Sequence, residues 1–324
     1  MTEMNMVEAL NSAFHSIMKK DKSVVVLGED VGVDGGVFRV TKGLIEKHPK
    51  RVFDTPLAEA AIIGTSVGLA VGGLKPIAEC QFSGFMYQAF YQIEQHVARM
   101  RNRTRGQITL PMVIRAPYGG GIRALEHHSE SKEAFYAHTP GLKVVIPSNP
   151  YDAKGLLIAS VNDPDPVIFL EPKRIYRAFK QEIPEDAYEI ELGKAHIVQE
   201  GENLTLISWG AMMRPTLDAA EELEAKNIKA EVIDLRTIQP LDVNTIIESV
   251  KKTGRCIVIH EAQKMGGWGA EITAQINERI LDHLMAPVGR VCGYDVTFPY
   301  FALEEEYLPD TERILKKVNE VMNY

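Results

Sequence analysis

The chain has 324 residues, about two domains of ordinary size, and its 45% hydrophobic and 25% charged residues exclude a disordered polymer. A net charge of −8 argues against nucleic acid or an anionic membrane surface as the main partner. Cys80, Cys256 and Cys292 lie far apart, fit neither a disulfide framework nor a zinc spacing, and favour a reducing compartment. No basic-then-apolar secretion signal opens the sequence. The longest apolar stretch, 60–74, is broken by Thr, Ser and Gly and is too short to cross a bilayer, so the expectation is a cytoplasmic protein.

In chain order, a first helix is predicted near Val7 to Lys20, followed by a buried strand from Ser23 to Gly28. Short β-branched runs predict further strands at Arg51–Asp54, Pro76–Cys80, Met112–Ala116, Leu142–Ile146 and Val167–Glu171. Helical patterns fall between them near Glu59–Val71, Phe85–Arg101 and Asp152–Ser160. Such alternation argues for parallel βαβ units with helices on both faces of a sheet. Between Pro172 and Glu200 the pattern breaks into a charged stretch, read as a linker with a strand or two. A second alternating series then runs to the C-terminus: strands at Leu204–Trp209, Ala230–Leu235, Cys256–His260 and Val288–Cys292, with helices at Arg214–Lys226, Asp242–Lys252 and Gly269–Leu284. The expected architecture is α/β, two domains with mainly parallel sheets: 1–180, a linker at 181–200, and a smaller domain at 201–324.

Open parallel sheets take ligands at the carboxyl ends of their strands, and three segments of interest fall there. The first is Asp54-Thr-Pro-Leu-Ala-Glu59, where Thr55 and Pro56 read as N-cap and first helical residue, with Glu59 fourth in the helix. A carboxylate at the mouth of a small, apolar helix is either a structural acid in the helix dipole or an acid held for chemistry. The second is Gln81 to Tyr87, in which a ring such as Phe85 offers a flat face to a heteroaromatic ligand, although aromatics after a strand more often pack a core. The third is the glycine-rich loop from Pro117 to Ser129, with His127 and His128. Adjacent histidines diverge, which discounts zinc. No G-x-G-x-x-G follows a strand and no G-x-x-x-x-G-K-[ST] occurs, so dinucleotide and P-loop chemistry are unsupported. Arg99, Arg101, Arg103 and Arg105 read as a helix end running into a loop or subunit contact.

The Asp54–Glu59 and Gln81–Phe85 segments, His128-Ser129 and Pro140-Gly-Leu-Lys-Val-Val-Ile-Pro147 together resemble the β subunit of 2-oxoacid dehydrogenase E1 components, over essentially the whole chain. The resemblance implies a transketolase-like pyrimidine-binding domain followed by a transketolase C-terminal-like domain. It implies thiamine diphosphate as cofactor, with Glu59 hydrogen-bonding the pyrimidine N1′, Phe85 against the ring, and Leu57 and Gln81 nearby. It casts His128 as the active-site histidine that handles protons or orients the 2-oxoacid carboxylate and the incoming lipoyl group. The Gly-Asp-Gly motif that holds the diphosphate through Mg²⁺ does not occur in this sequence. The resemblance therefore implies a site completed by an E1α subunit in an α₂β₂ heterotetramer, with the lipoyl and subunit-binding domains of E2 as further partners. It also implies a structural K⁺ near Met112, Ser160, Val161, Asp163 and Asp165.

Residues 171–178 and 291–299 look more like the branched-chain branch than the pyruvate branch, so the leading expectation is oxidative decarboxylation of branched-chain 2-oxoacids and acyl transfer to lipoyl-E2. The alternatives are a pyruvate or acetoin dehydrogenase E1β, and a non-catalytic scaffold that docks E2.

Overall fold

A computed structural model describes residues 1–324 and resolves the two series of elements into two sheets. The first has seven strands in the order Thr237–Gln239, Lys143–Val145, Val167–Pro172, Val113–Tyr118, Lys75–Glu79, Val24–Gly28 and Val52–Asp54. The second has five, in the order Gly289–Gly293, Cys256–Gln263, Leu204–Ser208, Ala230–Asp234 and His196–Gln199. Every pairing within them is parallel except the two that attach Thr237–Gln239 and His196–Gln199. The strands 24–28, 113–118, 167–172, 204–208 and 230–234 are buried along their full length. That follows from helices lying on both faces, and it is why these strands read as unbroken apolar runs rather than alternating ones.

The two halves are less separate than the sequence pattern suggests. Thr237–Gln239 leaves the second half to pair antiparallel with Lys143–Val145 and forms the edge of the first sheet. Beside it, the Arg236 guanidinium donates twice to Asp152 of the first half, at 2.8 Å each, and Ser148 donates to Asp234. Both large apolar cores draw on both halves: Phe169 and Met212 share one, Tyr118 and Trp209 the other. The stretch read as a linker contributes two strands. Gln181–Ile183 pairs with Thr2–Met4 at the N-terminus, and His196–Gln199 joins the second sheet.

Two helices differ from expectation. The helix after Asp54 spans Glu59–Val71, so Glu59 is its first residue rather than its fourth. The Thr55 N–H is taken by the Gly28 carbonyl at 3.0 Å, which prolongs the strand-like path and leaves Pro56 and Leu57 outside the helix. The single helix expected over 85–101 is instead a chain of short turns: a 3₁₀ segment Ser83–Ala89, one α turn at Phe90–Gln92, a π turn at Ile93–Val97 and a last α turn at Met100–Arg103. The tight winding begins where Gly84 lies directly against the His127 carbonyl, an approach that any Cβ would block.

One ionic network braces the centre of the first sheet. Arg115 is fully buried, donates to both oxygens of Glu171 at 2.6 Å each and pairs with Glu79 on the other side. Tyr176 donates to Glu171 at 2.5 Å. Burial pushes the Glu79 carboxyl up to about 7 against the pull of Arg115. Arg115→Leu should therefore strand two buried carboxylates and lower stability by about 3–5 kcal/mol, measured as a shift of the urea midpoint at constant slope. A shift worth less than about 1 kcal/mol would show that the network is energetically idle.

Candidate functional site

The carboxyl ends of the first sheet gather all three segments singled out in the sequence. Glu59 follows Val52–Asp54, Gln81 follows Lys75–Glu79, and the glycine loop follows Val113–Tyr118. The segment Ser83–Ala89 joins them, packing on the helix Glu59–Val71 on one side and on the turn Glu126–His128 on the other. Glu59 is buried, and its Oε2 has no hydrogen-bond partner. An unsatisfied buried carboxyl oxygen is costly in a folded chain and is free to meet a group from outside it. Leu57 stands beside it with 67% of its surface exposed. Gln81 donates from its amide to Asp30 at 3.0 Å, which holds its side chain toward the acidic turn after Val24–Gly28.

Aromatic rings form the middle of the site. His128 lies edge-on to Phe82, with centroids 4.5 Å apart, and to Phe85 at 5.1 Å. Phe82 and Phe85 are themselves edge to face at 5.6 Å. Burial, and then the neighbouring His127 and Lys173, hold the His128 imidazole below its ordinary proton affinity, so it is neutral near pH 7. Its Nδ1 is buried without a partner. A neutral, under-bonded imidazole can accept a proton or orient an acid, which is the chemistry expected of His128.

The loop bearing His128 is anchored from the second half of the chain. The Gly120 N–H donates to Glu261 at 3.0 Å, and the Ser131 hydroxyl donates to the same carboxylate at 2.5 Å. The Gly121 N–H donates to Glu304 at 2.8 Å, and the Arg123 N–H reaches both oxygens of Glu304 at 3.2 and 3.3 Å. Gly121 needs its glycine twice over: φ is +93°, and a Cβ would stand 2.6 Å from the Arg174 side chain. Lys173, the first residue past the strand Val167–Pro172, is buried with no hydrogen-bond partner for its Nζ, which sits 5.7 Å from the Phe82 ring centroid.

Sequence reading missed Phe82, Lys173, Glu261 and Glu304. Lys173 had no clear signal, since Glu171-Pro172-Lys173-Arg174 reads as a charged strand end. Glu261 sits inside the run Cys-Ile-Val-Ile-His-Glu-Ala, where a solvated acid does not belong. Glu304 had none, because Glu304-Glu305-Glu306 looks like a solvated charge run.

The residues implied for K⁺ lie elsewhere, at the amino ends of the same strands. The Met112 carbonyl accepts the Val167 N–H, and the Ser160 hydroxyl donates to Leu156. Lys143 Nζ reaches Asp163 at 2.5 Å, and Arg101 reaches Asp165 at 2.5 Å. Val161 is a core residue. Both carboxylates are thus paired with the chain's own cations. Arg99 and Arg105 line an open groove of about 1020 Å³ whose wall also includes Lys143 and Asp165.

Residues 2–178 match the family described as transketolase, pyrimidine binding domain, and residues 193–314 match transketolase, C-terminal domain. The pyruvate dehydrogenase E1 component subunit beta of Acholeplasma laidlawii is 54% identical over 315 residues, covering 97% of this chain and 96% of that protein. The subunits of the same name from Staphylococcus aureus and Staphylococcus epidermidis are each 48% identical over 325 residues, covering 100% of both chains. Among solved structures, a split gene transketolase described as an inactive β4 tetramer superposes with a TM-score of 0.82 at 23% identity, over 99% of this chain and 98% of that one.

Glu133, at the start of the helix that follows the loop, has both carboxyl oxygens buried without a partner, and burial pushes its proton affinity up to about 7. Its proton is therefore held in the folded chain and released in the unfolded one across the window from about pH 4.5 to 7, so its contribution to stability falls as pH rises through that window. Glu133→Gln should leave stability at pH 5 nearly unchanged and raise it at pH 8 by about 2–3 kcal/mol, measured by urea unfolding at both pH values. An equal effect at the two pH values would show that Glu133 is ionised in the folded chain.

Proposed function

Because this chain belongs to the transketolase-like β subunits of 2-oxoacid dehydrogenase E1 components, we propose that it supplies the pyrimidine-binding half of a thiamine diphosphate site and that its substrate is pyruvate. The observation that carries the reading is Glu59, a buried carboxyl with an unsatisfied oxygen at the head of a helix on which the segment bearing Phe85 packs, with His128 edge-on to that ring. Those residues fit a thiamine pyrimidine, which needs one acid toward a ring nitrogen and apolar faces around the ring. When bound, the cofactor supplies the electron sink through which a 2-oxoacid loses CO₂.

The chain's own residues then have three tasks. Glu59 presents its free oxygen to the pyrimidine N1′ and holds or returns a proton there. Phe82 and Phe85, with Leu57 at the open edge, exclude water from the ring. His128, neutral and mounted on a glycine-rich loop, orients the substrate carboxylate and hands on protons during acyl transfer to a lipoyl group. Mg²⁺ and the diphosphate fall to an α subunit. The exposed edge of the Glu59 helix supports such a partner: Ala61, Thr65, Gly68 and Val71 form a small, mostly apolar strip at helical spacing, continuous with the site. An α₂β₂ assembly that docks E2 follows from the same reading.

The lean toward branched-chain substrates loses its footing. The relatives at 54% and 48% identity are named pyruvate dehydrogenase subunits. The segments behind that lean also serve the frame: Glu171 is held by Arg115 and Tyr176, and the Cys292 thiol faces His260 Nε2 at 3.2 Å in the second core. Neither bears on the size of a substrate side chain. The scaffold alternative leaves an unsatisfied Glu59 without a purpose.

In the complex reconstituted with its α subunit, kcat/KM for pyruvate should exceed that for 2-oxoisovalerate by at least about tenfold; the reverse ranking would restore the branched-chain reading. Glu59→Gln should lower turnover by about 100-fold or more while sedimentation shows the assembly intact, and unchanged turnover would remove Glu59 from the chemistry.

A further inference from the structure

Glu261 and Glu304 are buried, and every side-chain hydrogen bond either one accepts comes from residues 120–131 of the other half of the chain. A buried carboxylate without such donors is strongly destabilising, so these two acids stay in place only while the loop is seated on them. The loop in turn cannot seat without three small residues: a Cβ at Gly119 would overlap the Glu261 carboxylate, one at Gly120 would stand 2.6 Å from the Phe298 ring, and Gly121 meets Arg174. Lys173 is buried, has no acceptor of its own, and lies over the Phe82 ring, which meets His128 edge-on.

We propose that Glu261 and Glu304 are positioning residues for His128, two carboxylates that seat the 119–131 loop from the second half of the chain. The inference rests on the reading of His128 as the residue that meets the substrate. Their role is geometric. Each fixes backbone N–H groups within a dozen residues of His128, and a displacement of about 1 Å at a reacting group costs up to 100-fold in rate. A purely structural pair of acids would change stability and leave the histidine's turn unmoved.

The test uses the assembled α/β complex. Glu304→Ala should lower kcat for the 2-oxoacid by about 10- to 100-fold with the KM for thiamine diphosphate within about threefold, because the Glu59 side of the site is untouched. Amide hydrogen exchange over 119–131 should speed up while exchange in the strand Val113–Tyr118 stays slow. Glu304→Gln keeps an acceptor oxygen and should recover most of both effects. Glu261→Ala, which removes the acceptor for Gly120 and Ser131, serves as the second variant if Glu304→Ala does not assemble, with the same loss of kcat and faster loop exchange expected. Normal loop exchange in Glu304→Ala, or altered exchange with unchanged kcat while His128→Ala is impaired, overturns the inference. If His128→Ala is itself fully active, the reading of His128 fails, and the loop exchange still decides whether the two acids hold the loop.

Discussion

The need of buried carboxylates for donors organises this molecule. Nine acids are buried, and five of them show three different answers. Glu79 and Glu171 share the Arg115 guanidinium inside the first sheet. Glu261 and Glu304 take backbone and hydroxyl donors from a loop of the opposite half. Glu59 keeps an oxygen with no donor at all. In the first four the chain satisfies its own charges and gains a unique arrangement in return. Glu59 is left open at the carboxyl ends of the parallel strands, where a fold of this kind takes its ligand.

The second sheet has its own carboxyl ends, and by the same geometric rule they should also form a crevice. Glu261 lies in one of its strands and Gly210 follows another, pressed so close to Tyr118 that a Cβ there would stand 2.6 Å from its hydroxyl. That crevice is filled by residues 118–137 of the first half. The second half thus presents its ligand-binding edge to the other half's loop, which explains why Trp209 and Tyr118 share a core. A site at the first sheet and a support at the second are two uses of one topological feature.

Much of this was legible in the sequence, because buried parallel strands announce themselves as apolar runs and the helices between them keep a 3.6-residue period. The alternation from Ser23 to Glu171, and again from Leu204 to Cys292, corresponds closely to the strands formed. The failures have physical causes. Thr55-Pro56 has the chemistry of a helix start, but the Thr55 N–H had a stronger claim from the Gly28 carbonyl. Residues 85–101 have helical composition and are wound tighter because a tertiary contact at Gly84 overrides it. Thr237–Gln239 is three residues long and pairs with a strand some ninety residues away, which no local pattern encodes. The segments of the candidate site could be placed at one sheet edge from their order alone. Glu304 could not, since only the folded chain shows that an acidic run buries its first member.

The strand Thr237–Gln239 has a consequence for synthesis. A ribosome delivers residues 1–180 long before residue 239 leaves the exit tunnel, and until then the Lys143–Val145 edge of the first sheet has no neighbour. Unpaired strand edges are templates for association with other chains. The nascent first half therefore waits, sticky on one side, for a segment that arrives only after a third of the second half has been made.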